Sequence, residues 1–167
     1  MPDLSFLKGR EHLLITMVCY GNICRSPMAA AVLHNKIKNG AITVDSAGTS
    51  NWHVGEGPNA PAKRVWEGAG YNYNHIASQF NYSRLVAADL VLVMDSHNHQ
   101  QVRQLATNEE EQRKIFYLRE FDESATSLEV PDPYSLPDSA FEQVLEMVER
   151  ATDGLLTALD AAFPRHT

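Results

Sequence analysis

Hydrophobic positions along the chain fall into short continuous runs, separated by longer stretches in which apolar residues recur at helical spacing. Leu13–Cys19 (LLITMVC) is an apolar, β-branched run, the pattern of a buried strand. A turn-like stretch, Tyr20–Arg25, follows it. Ser26-Pro27 then opens a helix through MAAAVLHNKIK, with Ser as cap and Pro at the first helical position, and Asn39-Gly40 closes it. Ile42–Asp45 reads as a second strand with a Gly/Ser/Thr/Asn-rich loop behind it. A helix is predicted from Pro61 to near Gly70, a third strand at Asp89–Met94 (DLVLVM), a helix from near Asn98 to Ala106, and a fourth strand at Ile115–Leu118. Glu109, Glu110 and Glu111 fall in a charged, solvated connection. A long helix from near Ser139 to Ala162 ends the chain, with Phe141, Val144, Leu145, Val148, Leu155, Leu156 and Leu159 near helical spacing.

Strands alternating with helices predict an α/β fold: a single three-layer domain over residues 1–167, with a central four-stranded parallel sheet flanked by helices. Residues 1–11 precede the first strand as an N-terminal extension. Such sheets bind ligands beyond the carboxyl ends of their strands, at helix N-termini. Cys19–Ser26 occupies that place.

Composition narrows the function classes. A chain of 167 residues, 44% hydrophobic and 21% charged, can bury a core without disulfides or metal. Its formal net charge of −7 argues against nucleic-acid binding, although a few local donors can still hold a small anion. The two cysteines, Cys19 and Cys24, are too few for a disulfide scaffold and are not spaced as a C-x-x-C pair. No apolar run is long enough for a membrane span, and MPDLSFLKGREH lacks the apolar stretch of a signal peptide. A reducing, cytoplasmic compartment is therefore the expectation, with no membrane partner.

The segment CYGNICRSP (Cys19–Pro27) has the makings of a phosphate cradle. Gly21 is expected to permit a tight backbone in which successive N–H groups converge on one anion, and the helix dipole adds positive potential there. Arg25, six residues after Cys19, can hold two phosphoryl oxygens through its planar fork. A thiol in such a field is expected to ionise readily, since cysteines at helix N-termini or beside cations fall from about 8.5 to roughly 3.5–7.5. The spacing C-x5-R alone is a weak signal. Gly21, Asn22, Ser26 and Pro27 in register on a strand-to-helix turn make it a strong one.

VCYGNICRSP resembles the signature of the low-molecular-weight protein tyrosine phosphatases. The resemblance extends to DSAGTSNWHVG (Asp45–Gly55), VLVMD (Val91–Asp95) and PDPY (Pro131–Tyr134), in order and approximate spacing. It implies a flavodoxin-like domain of the phosphatase I type, a phosphotyrosine-containing protein as substrate, and no metal or other cofactor. It implies Cys19 as nucleophile, Arg25 as phosphate clamp, and Tyr20, Gly21, Asn22, Ile23, Cys24 and Ser26 as the phosphate-binding loop. Asp132, which alone reads as a turn aspartate between prolines, matches the family's general acid. Ser26 is placed to hydrogen-bond the Cys19 sulfur. Asn22, Ser26, Ser46 and His75 match a network bracing the loop, although His75 alone also fits an ordinary core position. Trp52 and Tyr134 match the aromatic walls of the cleft, with packing as the competing reading. Ser135 stands where some members carry a second aromatic. Cys24 reads as an inert neighbour, as a metal ligand lacking companions, or, as the resemblance favours, as a reversible oxidation partner of Cys19.

Other functions compete on specific residues. Arsenate reductases of this superfamily relay a disulfide through later cysteines, and none follows Cys24. Phosphoarginine phosphatases of the family place Thr where this chain has Ile23. A phosphocysteine carrier should avoid a hydrolytic acid/base, and a mere phosphate-binding module has no need of Cys19, Arg25 and Asp132 together. His97 and His99, two apart, do not form a helical metal pair.

Overall fold

A computed structural model describes residues 1–164; the last three positions of the expected 1–167 domain lie outside the described residues. Four strands, β1 (Leu13–Cys19), β2 (Ile42–Gly48), β3 (Leu90–Val93) and β4 (Ile115–Tyr117), form one sheet in the order β2-β1-β3-β4, parallel throughout. Among the described residues, six α-helices connect or follow them: α1 (Arg25–Lys36), α2 (Ala60–Gly68), α3 (Tyr82–Ala87), α4 (Ser96–Leu105), α5 (Glu109–Gln112) and α6 (Asp138–Ala162). Helices α1, α2 and α6 pack together on one face, and α3 and α4 meet on the other. Strand alternation divides the core accordingly. Ile15, Met17, Leu90 and Leu92 face the larger core with Met28, Trp66 and Phe141, while Val18, Val91 and Val93 face the smaller one with Leu85 and Val102. Among the described residues, no helix is long and apolar enough to cross a membrane.

Several boundaries move from their expected places, each for a physical reason. Helix α1 begins at Arg25, ahead of Ser26-Pro27, because the Ser26 hydroxyl pairs with the Cys19 sulfur at 2.9 Å instead of capping the helix. It ends at Lys36, where Ile37 turns extended (φ −65°, ψ 128°), so Asn39-Gly40 lies beyond the helix rather than closing it. Strand β2 runs on to Gly48, since Ser46, Ala47 and Gly48 continue the ladder opposite Met17, Val18 and Cys19. Sheet pairing here overrides weak intrinsic strand preference. The acidic run is a single helical turn, α5, capped by the Asn108 side chain and carrying three glutamates at its positive end. Helix α3, unmarked by any long apolar period, is six residues started by the Asn81 cap.

The N-terminal extension is packed rather than loose. Leu4 and Leu7 are buried in the larger core, and Phe6 stacks on Phe116 with the Arg113 guanidinium 5.3 Å from its ring centre. Arg10 pairs with Asp89 at 2.6 Å, and the same carboxylate accepts the Leu14 N–H at 2.8 Å, tying the extension to the entry of β1 and β3.

Gly154 on α6 sits directly against the backbone of the turn Leu118–Phe121: a Cβ there would overlap the Phe121 carbonyl. Backbone cannot swing aside as a flexible side chain can. Gly154→Ala is expected to cost about 2–3 kcal/mol despite the better helix propensity of Ala, lowering Tm by roughly 5–10 °C. Thermal unfolding followed by circular dichroism checks this, and an unchanged or raised Tm would show that the helix shifts freely.

Candidate active site

The loop from Tyr20 to Cys24 leaves the carboxyl end of β1, a strand paired on both sides. Its carbonyls are tied to the surroundings. The Tyr20 oxygen accepts the Ser50 N–H and hydroxyl (3.0 and 2.9 Å), the Asn22 oxygen accepts His75 Nε2 (2.6 Å), and the Ile23 oxygen accepts the Asn59 N–H (2.9 Å). In planar trans peptides the following N–H points opposite its carbonyl. The N–H groups of Gly21, Ile23 and Cys24 are therefore turned away from those partners, toward the side round which the loop curls. The Asn22 N–H lies 3.2 Å from Cys19 Sγ, which marks that side. Helix α1 starts at Arg25 and aims its N-terminus at the same place.

The conformational freedom of this loop resides at Asn22 rather than at the expected Gly21. Asn22 has φ +56°, the left-handed region that Asn tolerates better than most residues, whereas Gly21 has no such backbone. What Gly21 supplies is room: a Cβ there would press on the His53 ring at 3.1 Å. The fully buried Asn22 side chain ties its surroundings together. Its Nδ2 donates to Ser26 Oγ (2.8 Å) and Ser46 Oγ (3.0 Å), and its Oδ1 accepts the Ser78 N–H (2.9 Å). Ser26, Ser46 and His75 thus all reach the loop. Burial holds the His75 pKa below its ordinary 6.5, against the opposing effect of its bond to the Asn22 carbonyl. The neutral ring with its proton on Nε2 matches the donor this bond needs.

Arg25 has a side chain only 4% exposed. Its Nη1 donates to Asp95 Oδ2 (2.7 Å) and to the Val130 carbonyl (3.0 Å), and its Nη2 lies 3.9 Å from Asp132 Oδ2. Burial disfavours its charge, but Cys19, Asp95 and Asp132 outweigh burial and hold the guanidinium pKa above its ordinary value. Asp132 is half exposed, in a loop where its Oδ1 accepts the Tyr134 N–H at 3.1 Å. Cys24 is buried and unbridged, and desolvation, reinforced by Cys19 and Asp132, pushes its thiol up to about 12. It is a neutral thiol beside Cys19.

A cleft of about 270 Å³ gathers Cys19, the loop residues Tyr20 to Cys24, Arg25 and Asp132, flanked by Trp52, His53 and Tyr134. Trp52 and Tyr134 are 75% and 53% exposed, which favours cleft walls over core packing. Ser135 is exposed with φ +66°, a backbone that disfavours bulky side chains.

Three contributors were not marked as site residues by the sequence. Asp95, at the end of β3, is both cap of α4 and partner of Arg25; its position at a strand's carboxyl end was the available signal. His53 lines the cleft and is held by Glu56 at 2.6 Å. Arg84, on α3, joins Ser78 Oγ (2.6 Å), Asp45 (3.0 Å) and the Ser46 carbonyl (3.1 Å) behind Asn22, and nothing in the sequence pointed to it.

The sequence profile of the family described as "Low molecular weight phosphotyrosine protein phosphatase" matches residues 14–164. A low molecular weight protein-tyrosine-phosphatase of Streptomyces coelicolor is 40% identical over 151 residues, covering 87% of this chain and 92% of that protein. A crystal structure of a protein tyrosine phosphatase from Entamoeba histolytica, with Hepes in its active site, superposes with a TM-score of 0.85 at 31% identity, covering 89% of this chain and 97% of that one. An arginine phosphatase from Geobacillus stearothermophilus is also similar, with a TM-score of 0.79 at 29% identity over 93% of this chain and 99% of that one.

Proposed function

We propose that this chain, which belongs to the low molecular weight phosphotyrosine protein phosphatase family, hydrolyses phosphotyrosine in protein substrates through a phosphocysteine intermediate. The observation that carries this reading is the convergence of Cys19 Sγ, the buried Arg25 guanidinium and the Asp132 carboxylate on one aromatic-walled cleft.

The phosphoryl group enters with its oxygens on Arg25 Nη2 and the inward-turned loop N–H groups. Cys19 sulfur attacks phosphorus in line; the S–P bond forms as the P–O bond to the phenyl ring breaks, and Asp132 gives its proton to the departing phenolate. Donors already fixed around the phosphoryl oxygens stabilise the charge of the transition state without reorganising. In the second step Asp132, now a carboxylate, takes a proton from water as that water's oxygen attacks phosphorus. The S–P bond breaks, and Ser26 Oγ, 2.9 Å from the sulfur, steadies the returning thiolate. Each group ends as it began, and no step calls for a metal. Trp52 and Tyr134 hold the phenyl ring between them.

The similarity to an arginine phosphatase makes phosphoarginine the competing substrate. Ile23, which lines the cleft, presents an apolar surface suited to an aryl group rather than a guanidinium. Hydrolysis of matched phosphotyrosine, phosphoserine and phosphoarginine peptides in the presence of a chelator tests the reading. Phosphotyrosine is expected to be turned over at least about 100-fold faster than the other two, the margin that a pocket built round one leaving group allows. Faster phosphoarginine hydrolysis would reassign the substrate. A phosphate that stays on Cys19 without release would make the protein a phosphoryl carrier.

A further inference from the structure

The cleft does not end at its two walls. Tyr20, 40% exposed, meets Trp52 edge-on with ring centres 6.4 Å apart, and its ring centre lies 6.1 Å from that of His97 at an angle of 57°. His97 is exposed on the first turn of α4, outside the phosphate loop. Tyr20 thus joins the cleft-lining Trp52 to His97 on α4. Each step matches roughly two residues of extended peptide, at about 3.3–3.6 Å per residue. A peptide whose phosphotyrosine sits between Trp52 and Tyr134 can run along Tyr20 and reach His97 about four residues away.

The charges along this path select among neighbours. Among the described residues, Arg25 is the one Lys or Arg lining the cleft, and it is committed to Asp95 and the phosphate. Asp132 is open at the mouth, Asp95 and Ser96 precede His97 on the chain, and the Ser96 N–H is bonded by the Glu129 carboxylate. Among the described residues lining the cleft, no Lys or second Arg faces an acidic peptide side chain, and the His53 ring is held by Glu56.

We propose that Tyr20 and His97 form a peptide subsite that binds an aromatic or aliphatic side chain two to four residues from the phosphotyrosine and rejects acidic ones. The substrate class is thus a phosphotyrosine flanked by apolar residues. This inference rests on the tyrosine phosphatase reading and specifies which phosphotyrosine sites that activity prefers.

The test is kcat/KM on phosphotyrosine peptides carrying Phe, Leu, Ala or Glu at each of the four positions on either side in turn, with free phosphotyrosine and p-nitrophenyl phosphate alongside, for wild type and His97→Ala. Wild type is expected to favour the Phe or Leu peptide over the Ala peptide by about 3- to 10-fold, the range of a single aromatic contact, and to favour Ala over Glu. His97→Ala is expected to reduce the Phe preference to about twofold or less while p-nitrophenyl phosphate is hydrolysed as before. Equal rates on all peptides, a preference for Glu, or an undiminished Phe preference in His97→Ala would each overturn the subsite while leaving the phosphatase reading intact. No turnover of free phosphotyrosine would instead remove the reading itself, and the subsite with it.

Discussion

Cys19→Ser is expected to lower kcat by about 10⁴-fold or more, the scale on which removing a nucleophile acts, while the protein stays folded and still binds inorganic phosphate. The geometry supports both halves of that expectation. The hydroxyl occupies nearly the place of Sγ, so the contacts from the Asn22 N–H and Ser26 Oγ have an acceptor of similar position. The carbonyl ties at Ser50, His75 and Asn59, which turn the loop N–H groups inward, do not involve residue 19. What is lost is the sulfur nucleophile: a serine hydroxyl must give up its proton to attack, and the groups that touch Sγ, the Ser26 hydroxyl and the Asn22 N–H, are not bases. Turnover of p-nitrophenyl phosphate and calorimetric titration with phosphate read the two halves separately. Activity within tenfold of wild type would place the nucleophile elsewhere, and loss of phosphate binding together with turnover would point to a collapsed loop.

Asp132→Ala is the second large effect, and its leaving-group dependence is more informative than its size. General acid catalysis of this kind is worth about 10²–10⁴-fold. Tyrosine is a poor leaving group, with a phenol pKa of about 10, so phosphotyrosine hydrolysis should lose most of that range. p-Nitrophenolate departs more easily without a proton, so its ester should lose distinctly less in the attack step, read as the burst of nitrophenol in rapid-mixing experiments. Asp132 also stands 3.9 Å from Arg25 Nη2, which gives the alanine variant a second way to fail. Equal losses for both substrates would assign Asp132 to setting the Arg25 fork rather than to donating a proton.

The parts of this site that could be read from the sequence are those whose chemistry is local. An apolar run, a Gly-Asn turn and a helix within fifteen positions gave the strand, the loop, Cys19 and Arg25, but not the left-handed backbone that Asn22 carries. The parallel sheet and its two helical layers follow from alternation, whereas the order β2-β1-β3-β4 does not. The expectations that shifted were those in which a side chain had two possible partners. Ser26 looked like a helix cap until the sulfur claimed its hydroxyl. Gly21 looked like the flexible point, whereas its lack of a side chain serves the His53 ring. Asp95 and Arg84 were out of reach for a different reason: their partners lie 70 and 39 positions away in the chain, and no local pattern records such a meeting. Trp52 and Tyr134 carried two readings, wall or core, that only their exposure separates.

Strand β1 is paired along both flanks and buried on both faces, whereas Trp52 and Tyr134 stand on exposed loops outside the sheet. Local opening is cheap where few apolar contacts are lost and approaches the global unfolding free energy in a central strand. The floor of the cleft and its rim therefore belong to different dynamic classes. Amides of Ile15 to Cys19 should exchange with solvent only when the whole domain unfolds, while those around Trp52 and Tyr134 exchange through small fluctuations. Ligand occupancy can slow the rim but has little left to gain at the floor. The enzyme therefore meets its substrate with a fixed reaction centre, and the adaptation that admits different proteins is confined to the rim.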